Sequence, residues 1–360
     1  MDLAIVGLPL CGKTAVFTAL TAGHASSREG ARREHIGIAG IPDERLEKLA
    51  ALVGAKKVTR PEVRLHDLPS LFERGAAPSG AAAESLAQAD ALIHVVRAFH
   101  RDDVPHPMGS IASHRDIEAF EGELMLHDLG IVERRLQKLD ITVRSARPGE
   151  REAGERELLL LQRVRQHLES DLPLRSQVFA RDDVNTLANY GLLSLKPMLI
   201  LLNIDEAEAP NARAVEGEYL GRHGAPRTAV AAMCARLEAE LAELPPEEAA
   251  EFRRALEGGD TPAQRILRLT QDVLGLVTFY TTVGEECRAW PLPAGATALQ
   301  AAGRIHTDME RGFIRVEVIA WDKLLEMGSL AEAKKRGILR TEGKQYIVQD
   351  GDVLHILFHV

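Results

Sequence analysis

Cysteine is scarce in this 360-residue chain: only Cys11, Cys234 and Cys287 occur, far apart from one another. That excludes a disulfide framework and a cysteine-rich zinc site, and it fits a reducing compartment, so a cytoplasmic location is expected. Basic charge is also short, with 53 Asp and Glu against 44 Lys and Arg and a net charge of −9. A chain held on nucleic acid by bulk charge would be basic. DNA is therefore not an expected partner, and any RNA contact must use a local patch. No stretch approaches the roughly 18 uninterrupted apolar residues of a membrane helix, so no membrane partner is expected. The opening residues, Met1 to Val6, lack the basic region of a signal peptide and read as the first strand of a fold. Internal repeats and low-complexity tracts are missing too. What is present is ordinary for a globular protein: 45% hydrophobic and 27% charged residues. At about 150 residues per domain the length predicts two or three domains.

The apolar runs organise the chain. Leu3 to Val6 is a short run of the kind buried on both faces of a sheet. A glycine turn follows, then Val16, Phe17, Leu20 and Thr21 at helical spacing. Further runs at Ala91 to Val96, Met198 to Leu202 and Ala229 to Met233, with the alternating Glu62 to Asp67, predict an α/β fold with a parallel sheet. Between the second and third runs the pattern becomes helical and charged. Leu124, Leu129, Val132, Leu136 and Leu139 lie on one stretch and Leu158, Leu161, Val164 and Leu168 on the next, with Pro148-Gly149 as the breaker. This predicts a protruding antiparallel helical hairpin. After Gly275 the strands Thr278 to Thr282, Phe313 to Ile319 and a C-terminal hairpin of Tyr346 to Val348 with Val353 to Phe358 predict a small, strand-rich last domain. The expected division is 1–118 with 195–276 as a discontinuous α/β domain, 119–194 as the helical insertion and 277–360 as the last domain.

Chemistry concentrates first in Gly7-Leu8-Pro9-Leu10-Cys11-Gly12-Lys13-Thr14, which matches G-x-x-x-x-G-K-S/T between a strand and a helix. The glycines let the backbone from Leu10 to Ala15 turn its N–H groups onto a phosphate chain, at the positive end of a helix. Lys13 is expected to reach the β- and γ-phosphates and stabilise them in catalysis, and the Thr14 hydroxyl to bind Mg²⁺. Cys11 reads as a small packing residue. Asp67, ending its strand, is the candidate second support of the metal, generally through water. Asn203-Ile204-Asp205-Glu206 stands where guanine-binding P-loop proteins carry N-K-x-D. Glu206 replaces the Asp and Ile204 the Lys, so the guanine-reading device is altered. No general base is evident.

These residues give the chain a resemblance to the YchF / Obg-like ATPase family, carried by pieces that run nearly end to end. They include Gly7-Leu8-Pro9 with Gly12-Lys13-Thr14, Ile41-Pro42-Asp43, Ile93-His94-Val95-Val96-Arg97, the Asn203 to Glu206 box and Cys234-Ala235-Arg236. The last third adds Arg288-Ala289-Trp290, Ile305-His306-Thr307-Asp308, Gly312-Phe313-Ile314-Arg315 and Val348 to Asp352. The resemblance implies a Ras-like P-loop NTPase domain, an inserted α-helical coiled-coil hairpin and a C-terminal α+β, ubiquitin-like TGS domain. It also implies a preference for ATP over GTP, with Asn203, Ile204, Glu206, Cys234 and Ala235 around the base. A hydrophobic residue, Leu71, falls where related enzymes orient water with Gln, and the ribosome is the implied partner.

Two departures bear on turnover. Ala31 falls on the first-switch Thr position and has no oxygen for Mg²⁺, and Ser70 replaces the second-switch glycine, behind Pro69. A slow Mg²⁺-dependent ATPase is the leading expectation. A nucleotide-binding protein that has lost hydrolysis is the alternative, and a P-loop small-molecule kinase a third that the C-terminal match argues against. Arg134, Arg135, Lys138, Arg144 and Arg147 in the hairpin, and Lys334-Lys335-Arg336, are the patches available to RNA phosphates. Among the 13 histidines, His94, His306 and His355 read as packing or hydrogen-bonding residues, and no cluster has metal-ligand spacing.

Overall fold

Asp2–Val6 forms β1, in which Leu3 to Val6 are wholly buried. A strand with no polar face belongs in the interior of a parallel sheet. In a computed structural model of the chain, β1 pairs in parallel with β5 (Glu62–Asp67) on one side and β6 (Ala91–Ala98) on the other. The structure describes residues 1–22, 25–26, 35–69, 71, 80–145, 147–245, 248–249 and 261–359. Ala31 and Ser70 lie outside the described residues. Two compact units emerge, one of residues 1–39 and 64–266, the other of 40–63 and 267–360.

The first unit holds a seven-stranded sheet in the order β2-β3-β5-β1-β6-β7-β8, with β2 Ala25–Ser26, β3 His35–Gly40, β7 Met198–Ile204 and β8 Thr228–Met233. The five strands expected from the apolar runs are its five consecutive strands from β5 to β8. β2 and β3 were not foreseen, and β3 shows why. Its buried positions are Gly37 and Ala39, while Ile36 and Ile38 face outward. A Cβ on Gly37 would sit 2.5 Å from Thr21 Cγ2, so the helix behind this strand accepts no side chain there. The usual signal, large residues inward, is inverted.

Two long helices form the hairpin, α4 (Ser113–Ser145) and α5 (Pro148–Leu168), with Pro148 starting α5 where its missing N–H costs nothing. α4 begins earlier than the periodicity indicated because its first turns serve a different core. Ile117, Phe120 and Leu124 pack with the sheet, whereas Val132, Leu136 and Leu139 pack with Leu161, Val164 and Leu168 of α5. The junction is fastened by buried polar groups. Asp128, fully buried, accepts from Leu193 N (2.8 Å), Ser194 N (2.7 Å) and Ser194 Oγ (2.6 Å). Arg175 donates to Ser194 O and pairs with Glu121. Unpaired, each of these charges would be costly to bury.

The second unit is built on a six-stranded sheet, β12-β11-β13-β9-β10-β4. Its strands are β4 Lys57–Thr59, β9 Leu276–Val283, β10 Glu286–Pro293, β11 Phe313–Ala320, β12 Arg340–Glu342 and β13 Asp352–Phe358. Successive residues Phe279 and Tyr280 point to opposite faces and enter different cores. The Phe279 face is covered by the helix Ala298–Ile305, the Tyr280 face by α2 (Glu44–Val53) and two short C-terminal helices.

Residues 40–63 thus depart from the expected 1–118 segment: Leu46, Leu49 and Ala50 of α2 share a core with Tyr280, Cys287 and Ala289. Asp43 caps α2 by accepting from Arg45 N (2.9 Å) and also accepts from the Tyr280 hydroxyl (2.5 Å). The C-terminal hairpin is a second correction. Tyr346 to Val348 is not a strand; Ile347 makes one bridge to Thr297, and β13 pairs instead with β11 and β9. Asp352 accepts from the Tyr346 hydroxyl and from Gln349 N, which holds the segment as a turn rather than a ladder. Among the described residues no helix is long and apolar enough to cross a membrane.

His94 of β6 is buried, stacks on Phe120 at 4.1 Å and, among the described residues, has no hydrogen-bond partner for Nδ1. Burial, with the positive charge of Arg175 and Lys13, pushes its pKa down to about 3. The folded state therefore resists a proton that the unfolded chain accepts below about pH 6.5. The stability His94 contributes is complete above that value and is lost progressively as pH falls toward 3. Between pH 6.5 and pH 5 the loss amounts to about 2 kcal/mol. His94→Gln should remove that part of the acid sensitivity. Urea unfolding of both chains at pH 7 and pH 5 checks it, and equal acid losses would contradict it.

Candidate active site

The loop between β1 and α1 (Lys13–Leu20) is shaped by positive φ at Gly7 (146°), Leu10 (62°) and Gly12 (96°). At the two glycines there is also no room. A Cβ on Gly7 would meet Val95 O at 2.4 Å, and one on Gly12 would meet Asn203 Nδ2 at 2.2 Å. Leu10 has no such excuse. It is 54% exposed and holds a left-handed conformation that costs a side-chain-bearing residue roughly 1–2 kcal/mol. Cys11 is 2% exposed and burial raises its thiol pKa, which keeps it a neutral packing group.

The first turn of α1 has neither a side-chain cap nor an acidic residue, and the positive end of such a helix favours an anion. Lys13 Nζ lies over its own loop, donating to Gly7 O (3.1 Å) and Leu8 O (3.2 Å). Thr14 Oγ1 donates to Asp67 Oδ2 at 2.9 Å, joining the helix to the end of β5. Burial raises the Asp67 carboxyl pKa, while the Thr14 hydrogen bond and the Lys13 charge lower it. Two hard oxygen donors beside a cradle too tight for a Cβ fit Mg²⁺ with a phosphate chain. Ala15 follows Thr14 in the first turn. Leu71 is buried in the sheet core.

Asn203, 5% exposed at the end of β7, closes the opposite wall. Its Nδ2 donates to Cys11 O and its Oδ1 accepts from Ala235 N, both at 3.0 Å. One amide therefore ties the loop to the start of α8 (Ala235–Glu243), which Cys234 precedes. Glu206, on the surface next to this tie, pairs with Arg236 at 3.1 Å. Ile204 differs from its neighbours: it is 1% exposed and its side chain belongs to the sheet core. Any part it takes beside a base is through its main chain.

Several residues that shape this site stand in the quoted motifs without a role that the sequence assigns. Asp205 accepts from His100 N (3.0 Å) and contacts His100 Nδ1 (3.1 Å). Arg97, 2% exposed, donates to the carbonyls of Phe99, Arg101, Val104 and Pro105 and so organises the loop that carries His100. Its partners are carbonyls, which have no residue identity to read. In the hairpin and the second unit, several candidate RNA-facing cations already have partners: Arg135 with Glu157, Arg144 with Asp140, Lys334 with Glu317 and Arg336 with Glu332.

A strand, a glycine loop and a helix around Lys13 and Thr14, closed by Asp67 and Asn203, define a P-loop nucleoside triphosphatase. Comparison with known proteins narrows this. The chain is 35% identical to the ribosome-binding ATPase YchF of Bacillus subtilis over the full length of both. It is 37% identical to the ribosome-binding ATPase YchF of Haemophilus ducreyi, over 99% of this chain and 98% of that one. The solved structure of the Schizosaccharomyces pombe YchF GTPase superposes with a TM-score of 0.83 at 25% identity, covering 99% of this chain and 97% of the other. Residues 276–359 match the family model YchF-GTPase_C, described as a protein of unknown function (DUF933). The chain belongs to the YchF family.

Asn203→Ala removes both hydrogen bonds and leaves a buried carbonyl and a buried N–H without partners, each costing about 1–3 kcal/mol. The expected result is a loss of about 3 kcal/mol in urea unfolding without ligand. A loss of only a few tenths would show that this tie does not hold the loop.

Proposed function

We propose that this chain is an adenine-nucleotide-binding P-loop ATPase that turns over slowly with Mg²⁺, associates with the ribosome and works in the cytoplasm. The observation that carries the reading is an α1 N-terminus with no side-chain cap and no acidic residue in its first turn, with Lys13 over Gly7 and Leu8. A phosphate oxygen is a stronger partner for this ammonium than the Gly7 and Leu8 carbonyls. In this reading Gly7, Leu10, Cys11, Gly12, Lys13, Thr14 and Ala15 cradle the phosphates through their backbone, and Thr14 and Asp67 hold the metal. Mg²⁺ bound there neutralises charge on the β- and γ-phosphate oxygens. The chain's own contribution is positioning plus the Lys13 charge, since no general base is assigned.

Glu206 in place of Asp supports ATP over GTP, and the names of the Bacillus and Haemophilus relatives support both the ATPase activity and the ribosome. The three-part division, with a nucleotide domain of 1–118 and 195–276, a hairpin of 119–194 and a TGS domain of 277–360, is proposed as the domain organisation by family resemblance. It is distinct from the two units into which the chain packs. Exposed Arg134, Lys138 and Arg147 are the hairpin cations offered to ribosomal RNA. A second reading, binding without turnover, is favoured by Ala31 and Ser70, which lack the groups that sense a γ-phosphate.

Multiple-turnover phosphate release from ATP, with and without ribosomes, separates the two. Lys13→Ala should lower the rate about a hundredfold, the scale of losing one preorganised charge contact. Equal release from both chains, at background level, would overturn the ATPase and leave only the binding reading.

A further inference from the structure

Arg236 is the one charged side chain that meets Glu206 among the described ion pairs, and the two lie on either side of the Asn203–Ala235 hydrogen bond. Glu206 comes three residues after Asn203 and Arg236 one residue after Ala235. Arg236 Nη2 donates to Glu206 Oε2 at 3.1 Å, and its Nε lies 3.6 Å from Glu240 Oε1, one turn further along α8. Both partners of the Glu206 pair are more than half exposed, at 60% and 56% of their side chains. An ion pair in that setting adds little to stability. Its consequence falls on what the carboxylate can still accept.

We propose that Arg236 is a positioning residue for base choice: by holding one oxygen of Glu206 it prevents a two-point grip on guanine and favours adenine. This rests on the reading of the site as a nucleotide site. The Watson–Crick edge of guanine presents N1–H and N2–H side by side, which a free carboxylate matches with its two oxygens. Adenine presents an N6–H donor beside the N1 acceptor, and a free carboxylate meets that lone pair with repulsion. With one lone-pair site of Oε2 taken and the plane of the carboxylate fixed by that bond, Oε1 is the oxygen left fully open, beside the N–H donors of the guanidinium. An acceptor next to a donor complements adenine and mismatches guanine. The ion pair therefore acts on base identity while leaving the phosphate cradle, built from Gly7 to Ala15, as it is.

The test is calorimetric titration of the full chain in magnesium buffer with non-hydrolysable ATP and GTP analogues. It compares wild type, Arg236→Met, Arg236→Lys, Glu206→Ala and the Arg236→Met/Glu206→Ala pair. Wild type should favour the ATP analogue. Arg236→Met should move the ratio of affinities toward the GTP analogue by about fivefold or more, the low end of what a two-point hydrogen-bonded grip on a base discriminates. Arg236→Lys, which keeps a donor, should stay near wild type, and Arg236→Met should have no effect on the ratio once Glu206 is alanine. An unmoved ratio in Arg236→Met, a shift toward adenine, the same shift without Glu206, or a wild type that favours GTP overturns the role of Arg236. A wild type that binds neither analogue overturns the nucleotide-site reading itself, and this inference with it.

Discussion

A single buried amide holds the candidate site together. Asn203 leaves the end of the most buried strand and reaches both the Cys11 carbonyl and the Ala235 N–H. Three segments that are distant in sequence are thereby tied together at one point. The constraint propagates backwards. Gly12 can carry no Cβ because the amide occupies that space, and its positive φ then sets the direction in which α1 starts. The orientation of that helix brings its N-terminus, Lys13 and Thr14 to one place. The altered base box keeps its Asn while changing its other positions, as expected if the Asn is architecture and the remainder is specificity.

Around this point the first unit separates tasks by using long elements across more than one core. α4 packs its first turns on the sheet and its later turns on α5, so the hairpin is an extension of a helix already anchored beside β6. Asp128 and Arg175 mark the change of partner, buried where apolar packing alone would leave the Leu193–Ser194 main chain unsatisfied. The consequence is mechanical continuity. His94 on β6, next to the phosphate loop, stacks directly on Phe120 of the same helix that forms the hairpin.

Legibility in the sequence followed the range of the interactions. The central strands, the phosphate loop and the two hairpin helices depend on patterns a few residues long, and each was visible as a run, a motif or a stripe. β3 was hidden because the strand packs its glycine and alanine inward and its isoleucines outward. The expected strand at Tyr346 to Val348 has strand-like residues, yet Asp352 takes the hydrogen bonds that bend it into a turn. Residues 40–63 read as one more piece of the first domain because nothing local in α2 says which sheet its apolar stripe covers.

The sequence by itself determined the class of chemistry: a backbone loop for phosphates, a lysine, a hydroxyl and an acidic strand end, and a base box without its guanine reader. These are local, since a P-loop needs its residues adjacent and in order. The tertiary structure alone decided which side chains of the 203–206 segment reach the surface and which vanish into the core. It put Ile204 inside and Glu206 outside, gave Glu206 to Arg236 and Asp205 to His100, and assigned Arg97 to a ring of carbonyls. The Glu206 and Asp205 pairings join elements about 30 to 100 residues apart, which only the folded chain's registers and packing bring together. The carbonyls around Arg97, by contrast, are local in sequence but carry no residue identity to read.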